Sequence, residues 1–310
     1  MNGKCFAVVL CLTMFSGSCR PGERHSDEGD SEPSLVTSHS DDGAPMWVGT
    51  IEKRHLQQAP FNAWFDSGYT SYAPRSEAMT ALATSLDSVE IEVYLGTWCS
   101  DSTRDVPRLH RVLDDAAFPT DRLEMVALSD RPGEFKHSPA GKERERLVHR
   151  TPTIVISREG RELGRIVQNS RNRIEEDIVA ILNDEPYQAR FGAEARLHEI
   201  ASTRGIEAFE GRSSELAQEL GQLGESDSLW HYAQYDLLVN DKPREAAIVL
   251  DVFVTLYPES ARGYFLLARA HRALQELDEA LAAVRHSLSL GPGNDEARLL
   301  EEELVRATSP

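Results

Sequence analysis

One stretch constrains this chain more than any other. Val89 to Leu95 alternates apolar and polar residues, with β-branched members, and runs directly into Gly96-Thr97-Trp98-Cys99-Ser100-Asp101-Ser102. That alternation is the period of a half-buried strand, and the glycine marks the loop that ends it. Ser100 to Asp115 then reads as a helix, so the sequence predicts a strand turning over a short loop into a helix that starts at Cys99. A cysteine at the first turn of a helix meets unpaired N–H donors and the positive end of the helix dipole. Both favour the thiolate, which is the form that attacks disulfides and oxidants.

Further along, Leu123 to Ser129 reads as a strand and Thr153 to Ser157 as another, with Leu163 to Val167 its hairpin partner across Glu159-Gly160. Ile174 to Leu182 reads as a closing helix, and Arg131 to Val148 as a polar, partly helical insertion. Trp98-Cys99-Ser100-Asp101-Ser102 resembles the Trp-Cys-x-x-Cys motif of thioredoxin-like proteins, with Ser102 in place of the second cysteine. Pro107 stands where that family kinks its active-site helix, and Thr151-Pro152 stands just before a strand, as the family's cis threonine-proline peptide does.

The resemblance implies an α/β thioredoxin-like domain over residues 89–185, with Cys99 as the nucleophile and Trp98 as part of the motif. It implies a cis Pro152 beside the sulfur, with the Thr151 backbone able to pair with an extended thiol substrate. Ser102 occupies the resolving position as a hydrogen-bonding remnant. A mixed disulfide at Cys99 would then wait for an external thiol, because no other cysteine lies in the body of the chain. The family's buried carboxylate upstream of the cysteine corresponds to Val93, which puts the usual proton transfer in doubt. Asp101 is read either as a nearby base or as a first-turn carboxylate complementing the helix dipole. His149 and Arg150, next to Thr151, either stabilise a thiolate or bound anion or simply face solvent.

Of four cysteines, Cys5, Cys11 and Cys19 fall in the N-terminal segment. There a short basic start, an apolar run from Phe6 to Phe15 and the small residues Ser16-Gly17-Ser18 read as an export signal over residues 1–19. Small residues directly before a cysteine resemble a bacterial lipoprotein signal, which implies Cys19 as a lipid anchor and a location in the cell envelope, periplasmic or membrane-anchored. Ser16 departs from the usual leucine, and simple secretion is the alternative. Residues 20–45, rich in Ser, Asp, Glu, Gly and Pro, read as a flexible linker. Residues 46–88 read as a lead-in packing on the next domain. Their aromatic residues Trp47, Phe61, Trp64, Phe65, Tyr69 and Tyr72 are taken as packing, with a substrate groove as the other use.

Beyond Glu185 the period becomes helical, and residues 227–260 align on residues 261–294. Trp230 matches Tyr264, Ala246 matches Ala280, Leu250 matches Val284 and Pro258 matches Pro292. The unit of about 34 residues resembles the tetratricopeptide repeat. The resemblance implies an all-α repeat domain over residues 193–307 that binds a protein partner.

The formal net charge of -18 and the lack of any Lys/Arg run argue against nucleic acid as a partner. One body cysteine and scattered histidines give no metal-ligand spacing, and no motif calls for a cofactor. Two functions are therefore expected from the sequence. One is a single-cysteine thiol-disulfide oxidoreductase of the envelope, acting on protein thiols or disulfides or on low-molecular-weight thiols. The other is a non-catalytic adaptor in which both domains hold protein partners.

Overall fold

The computed structural model describes residues 32–39, 43–209 and 211–308. The export segment, with Cys5, Cys11 and the lipid-anchor candidate Cys19, lies outside the described residues, as does most of the linker. A mixed α/β sheet region comes first and a helical region follows.

Among the described residues six strands form one sheet: β1 (Ser34–Thr37), β2 (Pro45–Ile51), β3 (Val89–Leu95), β4 (Leu123–Ala127), β5 (Thr153–Arg158) and β6 (Arg161–Val167). Their spatial order is β1-β2-β4-β3-β5-β6; β3 and β4 run parallel and every other neighbouring pair is antiparallel. Between β2 and β3 lie α1 (Lys53–Leu56), α2 (Asn62–Ser71) and α3 (Ser76–Leu82). Helix α4 (Ser100–Asp115) links β3 to β4, the short α5 (Lys142–Glu145) sits in the insertion, and α6 (Ile174–Leu182) follows β6.

Strand alternation decides what each face of the sheet covers. Ile91, Val93 and Leu95 point into a core completed by Phe65, Leu82, Val106, Leu109, Val112, Ile178 and Ile181 from α2, α3, α4 and α6. Tyr94 points the other way, into a small cluster with Val126, Leu128, Val155 and Val148. The insertion covers this second face. Beside Val148, Arg146 pairs with Glu92 on β3, and Lys142 meets Glu124 on β4 at 2.6 Å. The insertion thus meets the sheet both through apolar Val148 and through ion pairs to β3 and β4.

The first elements differ from expectation. Ser34–Thr37 lies within the segment read as a linker, yet it pairs antiparallel with Pro45, Met46, Trp47 and Val48 to form an edge strand on β2. The lead-in also supplies a strand to the sheet: Gly49, Thr50 and Ile51 pair with Ala127, Val126 and Met125 of β4. Burying Met46 and Ile51 rewards this pairing, which the chain reaches only by returning from a distant β4. The aromatic residues of the lead-in pack. Phe61 and Phe65 are buried, Trp64 and Tyr69 lean on the same core, and Tyr72 donates to the buried Glu175 at 2.6 Å.

Helices α7 (Gly192–Arg204), α8 (Ser213–Leu220), α9 (Leu229–His231), α10 (Pro243–Leu256), α11 (Ala261–Ala273), α12 (Leu277–Leu290) and α13 (Asp295–Thr308) build the second region around a separate core. Helix α9 runs on into a π-helical stretch, Tyr232–Leu238. Caps agree with the sequence: Pro243 opens α10, and the Ser260 hydroxyl accepts from Gly263 N–H to start α11. Ala246 and Ala280 are fully buried, where small side chains let paired helices approach. Among the described residues no helix is long and apolar enough to cross a membrane.

Candidate functional site

Cys99 is the N-cap of α4, with extended backbone (φ -88°, ψ 123°), and its carbonyl accepts from Thr103 N–H at 2.9 Å to begin the helix. The turn delivering it is fixed by Cys99 N–H donating to Gly96 O at 3.0 Å. Gly96 is required by space: a Cβ there would lie 2.5 Å from the Trp98 indole. That ring is pinned by its Nε1–H, which donates to Leu128 O at 2.8 Å. Among the described residues Cys99 is the one cysteine, and it is partly exposed with no disulfide.

The Thr151–Pro152 peptide is cis. It brings the Thr151 carbonyl to 3.4 Å from Cys99 Sγ, which donates to it. Sequence reasoning left the Thr151 backbone open for substrate; here the thiol itself occupies its carbonyl. Ser102 is fully buried, and its hydroxyl accepts from Gly96 N–H at 3.2 Å. It braces the loop beneath the cysteine. Val93 is buried in the main core, so no carboxylate rises from β3 at that position.

Asp101 holds the first turn of α4 to the far side of the site. One carboxylate oxygen accepts from Arg104 at 2.8 Å, and the other accepts from Gln168 Nε2 at 2.6 Å. Gln168 lies just beyond β6, and its N–H donates to Pro152 O at 2.7 Å. Its side-chain oxygen accepts from Arg150. Asp101 therefore has the partners of a positioning residue, whether or not it also moves a proton.

His149 and Arg150 do not face solvent, as one reading of the sequence had it. Both are buried. Arg150 makes a two-pronged pair with the buried Glu194 of α7, at 2.7 and 2.6 Å, and stacks on Phe191 with its guanidinium carbon 3.8 Å from the ring centroid. Its charge is spent on joining the two regions. Burial, with Lys136 nearby, lowers the pKa of His149 to about 3, so its imidazole is neutral near pH 7. His198 and His231 are likewise pushed down to about 3, chiefly by burial.

Around the sulfur these residues form a cleft of about 210 Å³ lined by Trp98, Cys99, Asp101, Thr151 and Gln168, joined by Phe135, Lys136, Arg150, His231 and Tyr235. Sequence reasoning missed Phe135, Lys136, Gln168, His231 and Tyr235. Phe135 is a lone aromatic in a polar insertion, which was a usable signal. His231 and Tyr235 gave none, because helical period alone says nothing of what a helix docks against. Lys136 Nζ donates to His149 O at 2.7 Å.

Chemically, the arrangement offers one reachable sulfur at a helix N-terminus, a carbonyl acceptor beside it, and a surround of aromatic and charged side chains of both signs. Among the described residues no cluster of His, Cys, Asp and Glu could hold a metal ion. Searches against protein-family models and curated proteins return no match for this chain.

Proposed function

We propose that this chain is an envelope-associated, thioredoxin-like thiol-redox protein that works through the single sulfur of Cys99. The observation that carries this reading is the placement of Cys99: N-cap of α4, partly exposed in a cleft, with Sγ 3.4 Å from Thr151 O. The Cys99 thiolate attacks one sulfur of a disulfide, that S–S bond breaks, and a new bond joins Cys99 to the attacked sulfur. The departing thiolate takes a proton from water. An external thiol then attacks the mixed disulfide, releasing Cys99 and forming the product disulfide. Ser102 contributes no sulfur and no other cysteine lies among the described residues, so in this reading the second thiol comes from outside.

In this reading Trp98, Thr151 and Pro152 shape the site and Asp101 orients the first turn. The helical region acts as tetratricopeptide-like repeats that bind a protein partner. Supporting this, Ala246 with Ala280 and Leu250 with Val284, about 34 residues apart, are all buried between helices. A groove of about 630 Å³ is lined by Gln234, Arg262, Phe265, Arg269, Asn294 and Glu296 among others. The N-terminal segment supports export with anchoring at Cys19.

The test is disulfide exchange by the full chain, with Cys99→Ser subtracting any reaction at Cys5, Cys11 and Cys19. Exchange that disappears in the variant is expected. Equal rates in the two proteins would leave Cys99 inert and favour the adaptor, whose partner capture would survive Cys99→Ser and fail on loss of the repeats.

A further inference from the structure

The Cys99 cleft is completed by the helical region. Phe135 of the insertion lies 5.2 Å, centroid to centroid, from Trp98 and 6.2 Å from Tyr235, which in turn lies 4.6 Å from His231. An aromatic row thus runs from the motif tryptophan, across the insertion, onto the helix that starts as α9. The junction is held by one backbone bond and by the Asn240 side chain: Gly133 N–H donates to Val239 O at 3.0 Å, Phe135 N–H to Asn240 Oδ1 at 2.8 Å, and Asn240 Nδ2 to Phe135 O at 3.1 Å. The buried Arg150–Glu194 pair fastens the same junction from α7.

We propose that Tyr235 and His231 are specificity-determining residues that confine Cys99 to low-molecular-weight disulfides and keep disulfides on folded proteins from its sulfur. The proposal rests on the thiol-exchange reading. Attack requires the entering S–S bond to align with Sγ, and a folded protein brings bulk on every side of its disulfide. A cleft of about 210 Å³ lies below the usual range of about 300–1,000 Å³ for drug-sized ligands. It admits a substituent of amino-acid size and opposes a protein surface by steric conflict with the Tyr235 ring. The π-helical stretch Tyr232–Leu238, a rare geometry that recurs at functional sites, carries this residue. His231 Nδ1 is buried without a hydrogen-bond partner, which suits a polar atom of a small occupant.

The experiment measures second-order rate constants for the full chain with cystine and with a folded protein cysteinylated at one surface cysteine, each corrected by the Cys99→Ser variant. Attack on either probe can expel a free cysteine thiolate, and the bulk around the S–S bond differs. The small disulfide should react faster by about tenfold or more, and Tyr235→Ala should cut that ratio by about tenfold while Tyr235→Phe keeps it. Asn240→Ala, which loosens the same wall from outside the cleft, should move the ratio in the same direction. Equal rates in the unaltered chain, or a ratio that neither alanine variant moves, would overturn the proposal and leave the thiol-exchange reading standing. Reaction with neither probe would overturn both.

Discussion

At Cys99 the sulfur is held by neighbours that have little room to change. Gly96 lets the Trp98 indole approach the loop closely, the indole is pinned to Leu128 O, and the buried Ser102 hydroxyl ties the loop. Gly96→Ala should therefore force the ring away from its carbonyl partner and cost about 1–3 kcal/mol, the range for overpacking a filled site. Urea denaturation reads that loss, and an unchanged midpoint would mean the ring relocates freely. Ser102→Ala should act differently. It leaves the Gly96 N–H without its buried acceptor and should cost about 1–3 kcal/mol, while removing no reacting atom. Its exchange rate measured well below its folding midpoint should stay close to that of the unaltered chain. A collapse of exchange in a folded Ser102→Ala protein would show that the hydroxyl takes part in the chemistry.

Among elements, the decisive one for the site is α7, because its Glu194 neutralises Arg150 beside the cleft. Removing one partner of a buried pair strands the other charge, so Glu194→Ala should destabilise the chain by about 3–5 kcal/mol. Substituting both partners with apolar residues should cost less than that single change, and a double-mutant denaturation series checks it. Strand β3, helix α4 and helix α6 were legible because their signals are local: alternation, a cap and a 3.6-residue period. The cysteine, its serine companion and the threonine-proline pair were legible for the same reason. Strands β1 and β2 were not, since Ser34–Thr37 sits in a polar stretch and Gly49–Ile51 pairs only with distant β4. The burial of His149 and Arg150 was equally hidden. Their polar side chains signal solvent until Glu194 and the second region are in place.

At the largest scale, the described residues form two large cores and one small apolar cluster with a polar seam, and the seam carries the imidazoles of His149, His198 and His231. Each is pushed from 6.5 to about 3, chiefly by burial, with Lys136 disfavouring a further positive charge. The unfolded chain binds protons on these rings below pH 6.5, whereas the folded chain does not until about pH 3. Their contribution is therefore fully present above pH 6.5 and is lost progressively as pH falls toward 3. The lowered carboxylates Glu143, Glu175 and Glu225 start from 4.5, so the loss between pH 6.5 and about pH 5 belongs to the histidines. Denaturation midpoints at stepped pH should fall across that interval, to which His110 on α4, lowered by burial to about 4, also contributes; a flat profile there would contradict imidazoles held neutral in the fold.

The seam also places Cys99 in one cleft with His231 and Tyr235 of the helical region, so the proposed exchange is tested at that sulfur. Peptide mapping by mass spectrometry, after treating the full chain with a small disulfide and then with excess thiol, reads that sulfur directly. A mixed disulfide should form at Cys99 and vanish on adding thiol. A Cys99 peptide that stays unmodified while the disulfide is in excess would contradict a reachable, attacking sulfur.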